Sequence, residues 1–142
     1  MARPYLGGSN AAIKTVTAAT TLSIADSGKT ILMEAGGANV VITLPAAQKG
    51  LEFTFVQSAA SAANTCRITP VGAKIAGYVG MQEGGNADAT TADGLVSVLD
   101  GAVNKYVQLT QASGHLGNYI KIVCSGSVWF VTGGVGTFVH EA

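Results

Sequence analysis

The sequence predicts an all-β protein: a single-domain antiparallel β-sandwich or barrel, jelly-roll-like, with an extended N-terminal arm. Short runs of β-favouring residues recur along the chain, and clusters of Gly, Pro, Asp and Ser separate them at nearly even spacing. No run of residues shows the apolar period of a convincing amphipathic helix. The 142 residues are enough for one core but not for two. We therefore assign the arm and the first short strand to residues 1–19, and the β domain to residues 20–142.

The clearest pattern is the stretch NVVITLPAAQKGLEFTFV, residues 39–56. Alternate apolar residues in its two halves predict two strands, each with one buried face. Pro45 cannot donate to a strand ladder and is predicted to end the first strand, while Gly50 allows the second to begin. We interpret the pair as a central hairpin. The residues expected in one common core are Val40, Ile42, Leu44, Leu51, Phe53, Phe55, Ile120, Ile122 and Trp129.

The other β-favouring runs predict the remaining strands in chain order. Before the central stretch they are residues 13–16, 20–24 and 30–33; after it they are 66–69, 74–79, 95–99, 106–109, 119–124, 128–131 and 137–140. Pro70 and Gly72 are predicted to close the strand at 66–69. Residues 80–94 are predicted to form a surface loop, and the glycine-rich residues 133–136 a flexible turn.

Composition restricts the function classes. Charged residues make up only 11% of the chain, and Lys plus Arg equals Asp plus Glu at 8 each, so we expect no nucleic-acid partner. A weakly charged surface offers little protection against self-association and is typical of a protein in a permanent assembly. The N-terminus lacks the pattern of a secretory signal peptide, and no apolar run approaches the ~20 residues of a membrane span. We expect Cys66 and Cys124 to be buried free thiols.

One short motif resembles part of a nucleotide site. Residues 27–30, Ser-Gly-Lys-Thr, match the end of a phosphate-binding P-loop. However, the position of the first motif glycine is Ser23, and a strand-like run rather than a helix follows Thr30. A β-turn is the better interpretation.

Other catalytic and metal-binding patterns are weak. His115 and His140 lack metal or catalytic spacing, and Asp88 and Asp93 lack the carboxylate density of a calcium loop. Trp129 lies in an alternating strand and is predicted to be core rather than the floor of a sugar-binding groove. We therefore predict no enzymatic activity, no cofactor and no required metal.

Several segments together resemble a known group of proteins. They are Ser27-Gly28-Lys29-Thr30, residues 42–46 (ITLPA), residues 50–56 (GLEFTFV), and the pair Gly117-Asn118-Tyr119 and Ser125-Gly126-Ser127-Val128-Trp129, which looks like a closing hairpin. Their spacing resembles that of small structural proteins of tailed bacteriophages, especially head-decoration or cement proteins. The resemblance spans roughly residues 20–133.

The resemblance implies a virion protein on the outer surface of the capsid, assembled in the host cytoplasm. It implies that the major capsid protein is the partner, that the chain is commonly a homotrimer, and that it stabilises the shell. Within the arm, residues that suit contact with a neighbouring subunit are Arg3, Pro4, Tyr5 and Leu6. The alternatives are a tail-fibre or receptor-binding module, and a small enzyme such as a glycan hydrolase, which would need a pair of closely held carboxylates.

Overall fold

A computed structural model describes residues 12–60, 63–80, 96–100, 106–110, 116–136 and 138–140. Strands dominate these residues, and the all-β prediction is confirmed. One short 3₁₀ helix spans Ile24–Asp26. The strands are β1 (Ile13–Val16), β2 (Thr20–Thr21), β3 (Thr30–Met33), β4 (Val40–Ala46), β5 (Glu52–Gln57), β6 (Thr65–Val71), β7 (Lys74–Gly80), β8 (Val96–Asp100), β9 (Val107–Thr110), β10 (Tyr119–Cys124), β11 (Val128–Val135) and β12 (Phe138–His140).

The described strands form two mixed sheets. The seven-stranded sheet has the order β1-β3-β5-β10-β11-β7-β8, and the five-stranded sheet has the order β12-β9-β6-β4-β2. Half of the pairings between these strands are parallel, so the prediction of an antiparallel, jelly-roll-like arrangement is wrong in that respect. Alternation along a strand identifies its buried face, but it carries no information about the direction of the neighbouring strand.

The parallel pairs come from a winding of the first half of the chain. From β1 to β6 successive strands alternate between the two sheets, and each strand from β3 onward pairs in parallel with the strand two before it. The distance along the chain between paired residues varies, since Ile13 pairs with Thr30 whereas Val40 pairs with Cys66. Turns of unequal length explain why the sequence shows no regular repeat.

The prediction of a central hairpin is wrong. β4 lies between β2 and β6 in one sheet, and β5 lies between β3 and β10 in the other. The two strands therefore contribute their apolar faces to the core from different sheets instead of sharing a ladder. The connection between them includes Gly50, whose φ of 89° lies in the left-handed region that glycine tolerates.

The core prediction is confirmed for every residue named. All nine expected core residues are at most 6% exposed, and they belong to one cluster to which both sheets contribute. Phe53 lies near its centre, with its ring centroid 5.8 Å from that of Trp129 and 6.2 Å from that of Phe55.

The two prolines do not end their strands as predicted. β4 continues through Pro45 to Ala46, and β6 continues through Pro70 to Val71. The register between these strands shifts after Thr43, which pairs with Thr69, and resumes where Ala46 pairs with Val71. Both prolines lie in this irregular stretch, where a missing backbone donor disrupts the ladder less.

The glycine-rich segment at residues 133–136 is also different from the prediction. Gly133, Gly134 and Val135 belong to β11 rather than to a flexible turn. A Cβ atom on Gly134 would lie 3.0 Å from the carbonyl oxygen of Tyr119 and 3.3 Å from Cγ1 of Val79. Gly134 therefore permits close packing within the sheet, a requirement that the local sequence does not reveal.

The hairpin near the C-terminus is confirmed. β10 and β11 pair in antiparallel from Cys124 with Trp129 onward, and the amide of Ser125 donates to the carbonyl of Val128 at 2.9 Å. The loop predicted at residues 80–94 lies outside the described residues apart from Gly80, which ends β7. Within the part of the chain that the structure describes, no helix has the length and apolar character required to cross a membrane.

Candidate interaction surface

A buried carboxylate organises the segment that resembles a P-loop. Oδ2 of Asp26 accepts from Nζ of Lys14 at 3.0 Å and from the amide and hydroxyl of Ser23 at 2.9 and 3.0 Å, while Oδ1 accepts from Nζ of Lys29 at 2.8 Å. Burial alone would raise the pKa of Asp26, but the hydrogen bonds from Lys29, Ser23 and Lys14 outweigh it and hold the pKa well below its usual range. Asp26 thus joins β1 to the start of β3.

This geometry supports the β-turn interpretation of residues 27–30. The ammonium group of Lys29 is bound to Asp26, and Thr30 begins β3 instead of a helix. A P-loop needs a free lysine ammonium and a helix N-terminus to bind phosphates. Residues 27–30 provide neither, and they form a structural turn.

The prediction of two buried free thiols is confirmed. Cys66 and Cys124 are both unpaired and buried in the core. Burial raises the pKa of the Cys66 thiol to about 11, despite a hydrogen bond with the backbone of Ala35 that acts in the opposite direction. At neutral pH this thiol is protonated and is a poor nucleophile.

The structure describes two of the other residues considered for chemistry, Trp129 and His140. Trp129 is fully buried, which confirms its assignment to the core. His115, Asp88 and Asp93 lie outside the described residues, and His140 lies in β12 at the edge of the five-stranded sheet. Among the residues that the structure describes, no three His, Cys, Asp or Glu side chains lie close enough to hold a metal ion.

The outer face of the seven-stranded sheet, opposite the core, is unusually apolar. Tyr119 on β10 is 38% exposed, and Phe130 and Val135 on β11 are 47% and 45% exposed. Ile13 on the edge strand β1 is 52% exposed. Half of the large hydrophobic side chains that are exposed in the described residues lie on this one face, and such clustering is typical of a protein–protein contact.

The strand register places Tyr119 and Val135 in one apolar row, whereas Ile13 is in register with Thr30. Leu32 pairs with Val56, Val56 pairs with Tyr119, and Tyr119 pairs with Val135, so four strands supply one continuous apolar row. Near the other end of the strands Val123 pairs with Phe130. The outer face of the seven-stranded sheet therefore carries an apolar group at both ends of its central strands.

Two opposite charges lie beside these apolar groups: Lys121 is between the two ends, and Glu52 is level with the second end. Glu52 on β5 pairs with Val123, and Lys121 on β10 pairs with Thr54, which makes Glu52 and Lys121 diagonal neighbours on the exposed surface. Neither side chain forms an ion pair with another described residue. A shallow depression between them is lined by Gly28, Glu52, Phe53, Thr54 and Lys121.

The outer face of the five-stranded sheet is more polar. Arg67 on β6 donates through Nε and NH2 to Oε1 of Gln108 on β9, at 3.2 and 3.0 Å. Its guanidinium also lies 4.0 Å above the centre of the Tyr106 ring. Val41 and Val71 are the exposed large apolar side chains on the described strands of this sheet. The charge of Arg67 is thus already engaged within the chain.

The residues predicted to contact a partner, Arg3, Pro4, Tyr5 and Leu6, lie outside the described residues. The sequence interpretation missed the outer face of the seven-stranded sheet. A signal was present, because Tyr119, Val123, Val128 and Phe130 occupy the outward positions of strands whose inward positions are also apolar. What the sequence did not provide was the register that places these residues on one surface.

Comparison with known proteins gives no family for this chain. It matches no protein-family model, and no curated protein matches it. The functional inference therefore depends on the residues, the surfaces and the pattern of segments described above.

Proposed function

We propose that the chain is a non-enzymatic structural protein of a bacteriophage virion, a head-decoration protein that binds the outer surface of the capsid and stabilises the shell. Its partner in this proposal is the major capsid protein, and assembly takes place in the host cytoplasm. The observation that carries the proposal is an exposed, apolar sheet face on a chain with only 11% charged residues. Such a surface suits a protein that remains bound and close-packed.

We further propose that the two sheets stack as a sandwich, because their inner faces supply one core. Residues 1–10 form an arm in this proposal, with Arg3, Tyr5 and Leu6 contacting an adjacent capsid or decoration subunit. The Pro4 ring and the Gly7-Gly8 pair resist regular pairing in the sheet, and this property suits an arm that adapts to another surface. The assembled form is a homotrimer.

Deletion of residues 1–10 tests the role of the arm. We expect the truncated protein to fold but to bind undecorated capsids less, and the capsids to lose resistance to heat. Unchanged occupancy and unchanged capsid stability would rule out the arm as a contact. Far-UV circular dichroism of the isolated variant shows whether its fold is intact.

A fibre or receptor-binding module of the phage tail is the second candidate. The winding of β1 to β6 between two sheets favours it, because stacked turns of this kind can extend along one axis. Imaging of particles that carry a labelled chain separates the two functions. Label over the head supports decoration, whereas label confined to the tail supports a fibre module and contradicts the first proposal.

The absence of catalysis and cofactors is tested by ligand-dependent stability. A ligand that binds only the folded state raises the melting temperature. We expect neither a chelator nor an added nucleotide to shift the melting temperature of the purified protein. A clear shift with either reagent would contradict this part of the proposal.

A further inference from the structure

We propose that the outer face of the seven-stranded sheet is the contact between copies of this chain. This inference rests on the proposed role in a permanent assembly and assigns a surface to it. The occupant of the face is a second copy. Because a face that meets its own copy has two-fold symmetry, this contact joins chains in pairs and is separate from the contacts within the proposed homotrimer. Tyr119, Phe130 and Val135 provide the apolar part of the contact, while Glu52 and Lys121 determine its alignment.

Charge complementarity identifies the occupant. The part of the face formed by β1, β3, β5, β10 and β11 presents one carboxylate, Glu52, and one ammonium, Lys121, both exposed and without an ion-pair partner in the described residues. Lys74 also points outward, but it lies on β7, beyond these five strands. A partner that matches this face must offer an ammonium and a carboxylate within an apolar surround. Another copy of the same face has this composition, so Lys121 of one copy meets Glu52 of the next.

The size of the face is close to that of a small specific interface. Five adjacent strands, β1, β3, β5, β10 and β11, at a spacing of about 4.8 Å, span about 24 Å. Strands of about five residues extend about 17 Å, which gives a flat area of roughly 400 Å² per copy. Real accessible area exceeds the flat projection, so two copies approach the roughly 1,000 Å² expected of a specific interface.

The side chains on the outer face of the five-stranded sheet argue against that face as the contact. Arg67 there is already engaged by Gln108 and Tyr106, so it has less to offer a partner. The exposed Val41 and Val71 are fewer and smaller than the apolar groups on the seven-stranded sheet. Val71 therefore provides a control position with similar exposure on the other sheet.

The test measures the mass of the isolated full-length protein by sedimentation over a range of concentrations. We expect the wild-type chain to be oligomeric and Phe130→Ser to weaken association tenfold or more, with Val71→Ser unchanged. Lys121→Glu and Glu52→Lys should each weaken association tenfold or more as well, because each places like charges opposite one another. Fluorescence of the single tryptophan, Trp129, verifies that each variant keeps its core.

Mixing the two charge variants gives the decisive result. Lys121→Glu copies are acidic at both positions and Glu52→Lys copies are basic at both, so we expect the mixture to recover association through unlike neighbours. A monomeric wild-type chain, or variants that associate as the wild type does, would overturn the inference. Capsid binding is measured separately: an oligomer formed through this face that binds no capsid would contradict the proposed decoration function and leave the contact in place.

Discussion

Phe53 occupies the centre of the core, and its replacement by alanine should destabilise the protein strongly. The side chain is 1% exposed, and its ring lies 5.8 Å from the ring of Trp129 and 6.2 Å from that of Phe55, centroid to centroid. Phe53→Ala removes most of this apolar surface and leaves a cavity in the core. We expect the free energy of unfolding to fall by about 3–5 kcal/mol.

The magnitude follows from the buried area. A buried Phe side chain covers about 200 Å², and at about 25 cal/mol per Å² its burial contributes about 5 kcal/mol, of which alanine retains a minor part. The lost aromatic contacts and the residual cavity add to the cost. For a domain of this size the loss corresponds to a decrease in melting temperature of roughly 10–17 °C. Phe53→Leu fills more of the site and should cost about 1–2 kcal/mol.

Denaturant unfolding followed by Trp129 fluorescence measures both variants. Phe130→Ala is the matched control, because Phe130 belongs to the same sheet but is 47% exposed on its outer face. At a concentration at which copies are dissociated, this control should change the free energy of unfolding by no more than about 0.5 kcal/mol. Equal losses for Phe53→Ala and Phe130→Ala would show that the assignment of the two faces is wrong.

Three further predictions concern single features of the fold. Because the folded-state pKa of Asp26 is depressed, its stabilising effect is present above the unfolded-state pKa and is lost as the pH falls below about 4; Asp26→Asn should cost about 1.5–3 kcal/mol at pH 7, and urea titrations should show this difference shrinking in acid. Gly134→Ala should cost about 1–3 kcal/mol in the same assay because its Cβ meets backbone atoms, whereas Gly36→Ala, with open space around it, should be nearly neutral. Alkylation at neutral pH should label Cys66 and Cys124 only after unfolding, and a reducing agent should leave the melting temperature unchanged; rapid labelling of the folded protein would contradict their burial.

Some features of the fold depended only on short-range sequence patterns. Alternation of apolar residues identified the buried faces of β4, β5 and β10, and the Ser125-Gly126 turn indicated the hairpin between β10 and β11. These predictions succeeded because side chains of one strand point alternately to two faces, and because a tight turn is determined by adjacent residues. The low charge of the chain predicts permanent assembly as its class of function, and this stays a prediction.

The partners of the strands were decided by the tertiary structure. Two strands that follow each other in the chain can bury their inward side chains equally well as an antiparallel pair or as members of different sheets that share one core. The sequence around Pro45 therefore did not distinguish a hairpin from a connection between sheets. Pro45 is tolerated in β4 because the register with β6 shifts there, and Gly134 is needed because Tyr119 and Val79 pack closely against it. Both effects involve residues that are distant in sequence. The same holds for the candidate interface. Glu52 and Lys121 become neighbours only because β5 pairs with β10. Which side chains share a surface depends on the register between strands, and these two strands are far apart in the sequence.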